Sequence, residues 1–255
     1  MPTFQLIPGL SFQHAKDTDD LTALLTNLKQ AGILAIEYPV WSSYASNPRA
    51  QSTEMFRGLA HYVRVTQTDI QNDETKQNVI ALVREIAATP VVEFAPPPKV
   101  RETFNDAELA KWATVFLQHL TKNLPSSVVW ELPLSQHLGE GALSDWITRI
   151  KAHIPRAPFA MTLETFHPDL IAQVTCQIAA VAPNLRYLRI PIPNHEDPVV
   201  QEGLASILSK WRKCHRPGTA LTVMGVSQIE GAEFARVLRN WLTVLREAWR
   251  SDSKS

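Results

Sequence analysis

The sequence predicts an α/β protein built as a single (β/α)8 TIM barrel. Short apolar segments alternate with longer segments of helical periodicity, and eight such pairs are found in its 255 residues. The apolar segments are nearly continuous, which is typical of parallel strands covered by helices. An open doubly wound sheet is the alternative, but the count of eight and the lack of a GxGxxG motif after the first segment favour the barrel.

The first four units occupy the N-terminal half of the chain. Their strands are predicted at TFQLIPGLSF, ILAIEYPVW, YVRVTQTDI and VVEFAPPP. The first helix repeats leucine at the i, i+3, i+4 and i+7 positions from Leu21, and Gly32 ends it as a C-terminal glycine. A weaker helix is expected around residues 50–60. Asp73 or a neighbour is expected to cap the third helix, and the fourth lies around residues 109–120.

The last four units follow the same alternation. Their strands are predicted at SVVWELPLS, FAMTLETF, LRYLRIPIP and ALTVMGVS. The helices after them have apolar faces around residues 143–150, 170–178, 204–211 and 234–249, each at the spacing of a half-buried helix. Most of the tryptophans fall on these inward faces, so we expect them to belong to the core.

The composition fits one large globular domain, with 45% hydrophobic and 20% charged residues. We expect the barrel to span residues 1–250, followed by a polar tail at 251–255. Lysine plus arginine and aspartate plus glutamate both number 25, so no net charge attracts nucleic acid or anionic membranes. No apolar run is long enough to span a membrane, and no secretory signal is visible. We therefore expect a cytoplasmic protein.

Charged residues stand at the ends of five predicted strands. In four of them a proline follows within three residues, which marks where the strand leaves the sheet. Because the carboxyl ends of barrel strands form the mouth that holds the active site, these side chains are expected to meet there. A register error of one residue would turn a side chain to the opposite face. The five residues are Glu37, Glu93, Glu131, Glu164 and Arg189.

Several carboxylates in one partly desolvated mouth need a positive partner, because like charges repel strongly there. Arg189 offsets one of them. A divalent metal is a second solution, and carboxylate oxygens with one imidazole suit Mn, Mg or Zn. The sequence therefore predicts either a cation bound at the mouth or a carboxylate that holds a proton.

Three segments resemble the xylose-isomerase-like TIM barrels, which include sugar and sugar-phosphate isomerases and epimerases. They are NLKQAGILAIEYPV, VVWELPL and FAMTLETFHP. The resemblance implies that Glu131 binds a metal from the fifth strand. It also implies that Glu164 and His167 match the Asp-x-x-His pair of the sixth, with Glu in place of Asp. A sugar or phosphosugar is the implied substrate.

Two positions depart from the pattern of these barrels. Arg189 stands where members often carry a histidine, and a cation there disfavours a metal nearby. The eighth segment, TVMGVSQ, has no carboxylate before Glu230, where members often carry a metal-binding and catalytic glutamate. The metal site implied by the resemblance is therefore divergent.

Substrate contacts are expected from loops at the same mouth. Gly225 and Ser227 lie between the last strand and the last helix, where barrels often hold a phosphate against backbone N–H groups, although a plain turn is the alternative. Trp41 offers a ring for a sugar to pack on. His14, just after the first strand, either lines the mouth or lies in a solvated loop.

The leading hypothesis is a metal-assisted isomerase or epimerase of a sugar or polyol. Glu131, Glu164 and His167 would hold the metal, and Glu37 or Glu93 would act as general base. Arg189 would pair with a substrate oxyanion or with a carboxylate. The alternatives are a non-catalytic binding or scaffolding subunit, with a homo-oligomer or a partner protein, and a glycoside hydrolase using two carboxylates.

Overall fold

The computed structural model describes residues 5–11, 26, 28–38, 58–66, 72–93, 128–132, 148, 158–192, 197–226 and 234–250. Within these ranges the strands form one closed parallel barrel in the order β1 to β8, which confirms the predicted fold. The strands are β1 (Gln5–Ser11), β2 (Ala35–Tyr38), β3 (Ala60–Val65), β4 (Thr89–Glu93), β5 (Val129–Leu132), β6 (Phe159–Thr162), β7 (Leu185–Pro191) and β8 (Ala220–Val226).

The barrel is closed by pairing of its first and last strands. Each residue of β1 pairs with β8, from Gln5 opposite Ala220 to Ser11 opposite Val226. An open doubly wound sheet would leave two unpaired edges, so this pairing rules out the alternative topology. The closed sheet also places all strand ends around one mouth.

Four helices have complete bounds in the described part of the chain: α1 (Asp73–Ile86), α2 (Pro168–Val181), α3 (Pro198–Cys214) and α4 (Phe234–Arg250). Asn72 caps α1, since its Oδ1 accepts a hydrogen bond from the Thr75 N–H at 3.1 Å. A helical segment at 28–31 ends at Gly32, whose φ of 98° is the left-handed conformation that glycine adopts freely. The predicted glycine stop is therefore confirmed.

Several strand boundaries differ from those predicted, and two of them bear on the site. The third strand begins at Ala60, inside the predicted helix, and it carries His61, whose Nδ1 lies 3.2 Å from the hydroxyl oxygen of Tyr38. The sixth strand ends at Thr162 instead of Glu164. The predicted helices around 109–120 and 143–150 lie outside the described residues, apart from residue 148, and so does the tail at 251–255.

The core has two parts, one on each side of the sheet. The larger part lies between strands and helices and includes Trp211 and Trp241, both 0% exposed, as predicted for these tryptophans. The smaller part fills the inside of the barrel below its mouth. We refer to the six buried residues of this inner part as the barrel floor: Ala35, Val91, Val129, Ala160, Tyr187 and Met224.

Across the described ranges, none of the helices is long and apolar enough to cross a membrane.

Candidate functional site

A layer of polar side chains lines the barrel directly above the floor. Successive strand residues point to opposite faces of the sheet, so residues two positions beyond a floor residue face inward again. This level lies at the carboxyl ends of the strands, where barrel enzymes have their active sites. We refer to its members as the rim layer: Ser11, Glu37, Arg64, Glu93, Glu131, Thr162 and Arg189.

Glu37 is buried in this layer and accepts hydrogen bonds from three side chains. Ser11 Oγ donates to Oε1 at 2.5 Å, and Arg189 Nε donates to the same oxygen at 3.1 Å. The Tyr187 hydroxyl donates to Oε2. Because both oxygens are engaged from β1 and β7, the carboxylate is fixed in position.

Glu131 is also buried and is held by a two-pronged contact with Arg64. Arg64 Nε donates to Oε2 at 2.8 Å, and Nη2 donates to Oε1 at 3.1 Å. The Thr162 hydroxyl donates to Oε1 as well. This is the planar pairing of guanidinium and carboxylate, which gives both strength and a defined orientation.

Glu93 is the third carboxylate of the rim layer, and it differs from the other two. It is half-buried and lies opposite Glu131 in the pairing of β4 with β5. Among the residues that the structure describes, no hydrogen bond or ion pair involves its side chain. Its oxygens are therefore the acceptors that remain open in the described rim layer.

Arg189 leaves one donor unused inside the barrel. Its side chain is 9% exposed, and its Nε forms the ion pair with Glu37. Its Nη2 is buried and has no hydrogen-bond partner among the residues that the structure describes. A buried donor without a partner is costly, so this N–H marks a place where a ligand oxygen would be stabilised.

Two tyrosines support the rim layer from below: Tyr187 of the barrel floor, and Tyr62, which packs against the floor. Tyr187 lies under Glu37, and its ring contacts that of Tyr62 at a centroid distance of 5.1 Å. The Tyr62 hydroxyl lies 3.0 Å from Thr222 Oγ1 on β8. Burial raises the pKa of Tyr187 well above its usual value, and the negative charge of Glu37 adds to the shift. Burial also raises the pKa of Tyr62, so both hydroxyls stay protonated.

The rim layer balances most of its own charge. Burial alone would lower the pKa of Arg64, but hydrogen bonds and attraction from Glu131, with attraction from Glu37 and Glu93, raise it above its usual value. Arg64 and Arg189 are thus the positive partners of two carboxylates. The sequence predicted that such a partner was needed and identified Arg189, but not Arg64.

Glu164 and His167 lie away from the rim layer. Both are exposed, because β6 ends at Thr162 and the chain turns towards α2. His167 is the N-cap of α2: its Nδ1 accepts a hydrogen bond from the Asp169 N–H at 3.4 Å. Its local role is therefore to begin a helix. Thr162, two residues earlier, is the residue of this strand that reaches Glu131.

The metal site implied by the resemblance does not fit the described residues. Both oxygens of Glu131 face the guanidinium of Arg64, which repels a cation. Glu164 and His167 are exposed outside the layer. In the described ranges no group of three or more His, Cys, Asp or Glu side chains is arranged to hold a metal ion. Binding of Mn, Mg or Zn remains a prediction.

Of the predicted substrate contacts, only Gly225 is described. It is buried on β8, and a Cβ built there would lie 2.9 Å from Trp241 and from Ile192. Close packing against the helical layer is thus sufficient to require glycine at this position. His14, Trp41 and Ser227 lie outside the described residues.

Sequence reasoning missed four members of the site: Ser11, Arg64, Thr162 and Tyr187. All four lie inside or just at the end of an apolar strand segment. A search for charged residues at the strand ends does not find them. The signal that could have found them is the two-residue repeat of a strand, in which every second side chain faces the same side of the sheet. Arg64 lies two residues after Tyr62, and Thr162 lies two residues before Glu164.

No protein-family model matches the sequence, and no curated protein matches it. Solved structures do match. A xylose isomerase domain protein from Alicyclobacillus acidocaldarius subsp. acidocaldarius has a TM-score of 0.57 and 16% identity over 95% of this chain and 99% of that chain. A structure of L-ribulose 3-epimerase has a TM-score of 0.53 and 15% identity over 96% of each chain.

A thermostable mutant of a xylanase from Cellvibrio japonicus is similar at a TM-score of 0.53, with 10% identity over 88% of this chain and 86% of that chain. Identities this low show the fold alone. They confirm that the chain folds as a TIM barrel. This fold does not determine the function, which depends on the residues of the rim layer.

Proposed function

We propose that the chain is an enzyme that isomerises or epimerises a sugar or a sugar-like polyol at the mouth of its barrel. The rim layer supports this proposal most directly. It buries Glu37 and Glu131, at 2% and 4% exposure, among hydroxyl and guanidinium groups. Hydroxyl, carboxylate and guanidinium groups are those that hydrogen-bond the hydroxyls and the carbonyl of a sugar.

Stability alone does not account for such a layer. Replacing a buried ion pair by well-packed apolar side chains is often neutral or stabilising, so buried pairs give weak support to a purely structural role. The floor below shows that this barrel also packs apolar side chains. In the described strands, the charged side chains that face the barrel interior lie at the carboxyl ends, and this placement favours a ligand-binding role.

Glu93 is the proposed general base. Isomerisation through an enediol requires a group that removes a proton from the carbon next to the carbonyl and returns it to the neighbouring carbon. Glu37 and Glu131 have both oxygens engaged by donors, whereas Glu93 has no described partner. Of the two bases that the sequence predicts, Glu37 and Glu93, the geometry favours Glu93. Glu37 instead positions Arg189.

The similar structures agree with this proposal without establishing it. One is a xylose isomerase domain protein and another is an L-ribulose 3-epimerase. Use of a sugar substrate is inferred for this chain from the rim layer and from that fold together.

A non-catalytic binding subunit is the second candidate. The observation that favours it is the mutual neutralisation of Arg64 with Glu131 and of Arg189 with Glu37, which would also stabilise an idle barrel. It predicts ligand or partner binding without turnover.

The test is incubation of the purified protein with a panel of unphosphorylated and phosphorylated aldoses and ketoses, analysed for isomeric products. Formation of an aldose–ketose pair or of an epimer would support the proposal. Binding without product from any member would favour the binding subunit. Release of a reducing sugar from an oligosaccharide would instead indicate a glycoside hydrolase.

A further inference from the structure

One buried donor of the rim layer has no assigned partner. Within the described part of the chain, Arg189 Nη2 has no hydrogen-bond partner, although the residue is only 7% exposed. The Nε of the same guanidinium is held by Glu37, which prevents the group from turning to a new partner. The position of the free N–H is therefore fixed before a ligand arrives.

The charge around this donor determines which kind of ligand oxygen it can bind. Glu37 already compensates the charge of Arg189, and Glu37 is itself held by Ser11 and Tyr187. Because Glu37 offsets most of the charge of Arg189, the guanidinium has little net charge with which to attract a free anion, but its Nη2 keeps its hydrogen-bonding capacity. A neutral oxygen, such as the carbonyl oxygen of a sugar, can accept that hydrogen bond.

We propose that Arg189 Nη2–H binds the carbonyl oxygen of the substrate and stabilises the negative charge that develops on it. This inference rests on the proposed function and adds to it the electrophilic group. The stabilisation rises as the oxygen gains charge, because a fixed cationic donor interacts more strongly with an oxyanion than with a carbonyl.

The reaction that follows is balanced without another reactant. Glu93 takes the proton from the carbon next to the carbonyl, and the electrons of that C–H bond form a carbon–carbon double bond. The π electrons of the carbonyl move to its oxygen, which Arg189 holds. A proton passes from the neighbouring hydroxyl to this oxygen, and Glu93 returns its proton to the former carbonyl carbon.

Arg189→Lys tests the inference, because it keeps a positive charge for Glu37 but removes the planar guanidinium that fixes Nη2 beside Nε. With a sugar that the wild-type protein turns over, we expect kcat to fall by about 10²–10³-fold. We expect KM to change by less than about threefold, because the donor acts mainly in the transition state.

The matched control is Arg186→Lys on the same strand. Arg186 donates to the backbone carbonyls of Leu185 and Pro183 at the opposite end of the barrel, and its variant should keep wild-type kcat.

Binding of the alditol made by reducing the same sugar separates the carbonyl contact from general sugar binding. The alditol has no carbonyl, so its affinity should be equal for wild type and Arg189→Lys. If Arg189→Lys does not fold, Glu37→Gln combined with Arg189→Gln leaves neither charge unpaired and should show the same loss of kcat.

The inference is overturned if kcat of a folded Arg189 variant falls by less than about threefold, a change too small for the loss of a transition-state donor; in that case the proposed function stands. It is equally overturned if KM rises and kcat does not change. If the wild-type protein converts no sugar at all, the proposed function fails and the inference fails with it.

Discussion

Arg189 on β7 is ion-paired with Glu37 on β2 through an Nε–Oε1 contact of 3.1 Å, across the two strands β8 and β1 that lie between them. A second pair, Arg64 with Glu131, spans from β3 to β5. Each of these two ion pairs thus joins strands that are not neighbours in the sheet.

Arg64→Met should lower the free energy of unfolding by about 2–4 kcal/mol, because it leaves the buried Glu131 carboxylate without its cation. The cost lies below that of a fully buried pair, since the Arg64 side chain is 28% exposed. Urea denaturation measures it. The double variant Arg64→Met/Glu131→Gln should recover more than half of the loss. Equal stabilities of the double and the single variant would contradict this account of the pair.

The exposed Arg84 on α1 provides the matched control for that experiment. Arg84→Met makes the same chemical change on the surface of a helix, so its effect should stay within about 0.5 kcal/mol.

Tyr187 should make the protein less stable at high pH. Its pKa is raised in the folded state by burial and by Glu37, so between the unfolded and the folded pKa only the unfolded chain loses the proton. The free energy of unfolding should therefore fall as the pH rises above about 10. Tyr187→Phe should make this fall shallower. Identical pH dependence of the two proteins between pH 9 and 11 would refute the assignment.

Tyr62→Phe provides the comparison within the same barrel. The pKa of Tyr62 is raised by burial but lowered by its hydrogen bond with Thr222, so its variant should change the slope less than Tyr187→Phe does.

Gly225→Ala should lower the free energy of unfolding by about 1–3 kcal/mol, because the added Cβ meets Trp241 at 2.9 Å. Adding Trp241→Phe should reduce the penalty of the alanine, since the smaller ring leaves space for it. If Gly225→Ala instead keeps full stability but weakens binding of a phosphosugar, the glycine serves a phosphate as the sequence predicted. Thermal unfolding with and without ligand distinguishes these results.

The effect of metals on stability tests whether the predicted ligands form a metal site. If Glu131, Glu164 and His167 held Mn, Mg or Zn, a hundredfold excess over Kd would raise Tm by roughly 5–10 °C. Because the described residues do not fit that site, we expect no saturable shift with these metals and no loss of stability with EDTA. A shift that disappears in His167→Gln would contradict this expectation and restore the predicted site.

Much of the fold was accessible from the sequence because each unit repeats the same signal. Continuous apolar strands and leucine-rich helix faces predict the barrel independently of the loop sequences. The ends of the individual strands were harder to predict. The strand at Phe159 ends at Thr162, but the apolar Leu163 extends the sequence pattern to Glu164. Tertiary packing of Leu163 against the helical layer, which the sequence does not show, explains the difference.

The site was predicted in part for the same reason. Glu37, Glu93, Glu131 and Arg189 follow apolar strands at positions that face inward, and the structure brings them into one layer. Which of them pair could not be predicted, because pairing depends on contacts across the barrel between residues far apart in sequence. Glu37 and Arg189 are 152 residues apart.

The most direct test of the proposed chemistry is deuterium exchange in D2O, followed by NMR of the sugar. The wild-type protein should exchange the hydrogen next to the carbonyl, and Glu93→Gln should slow this exchange by about 10²–10⁴-fold, the usual contribution of a general base, while keeping its fold. Exchange by Glu93→Gln at the wild-type rate would contradict the account, because the rim layer would then hold no base at Glu93.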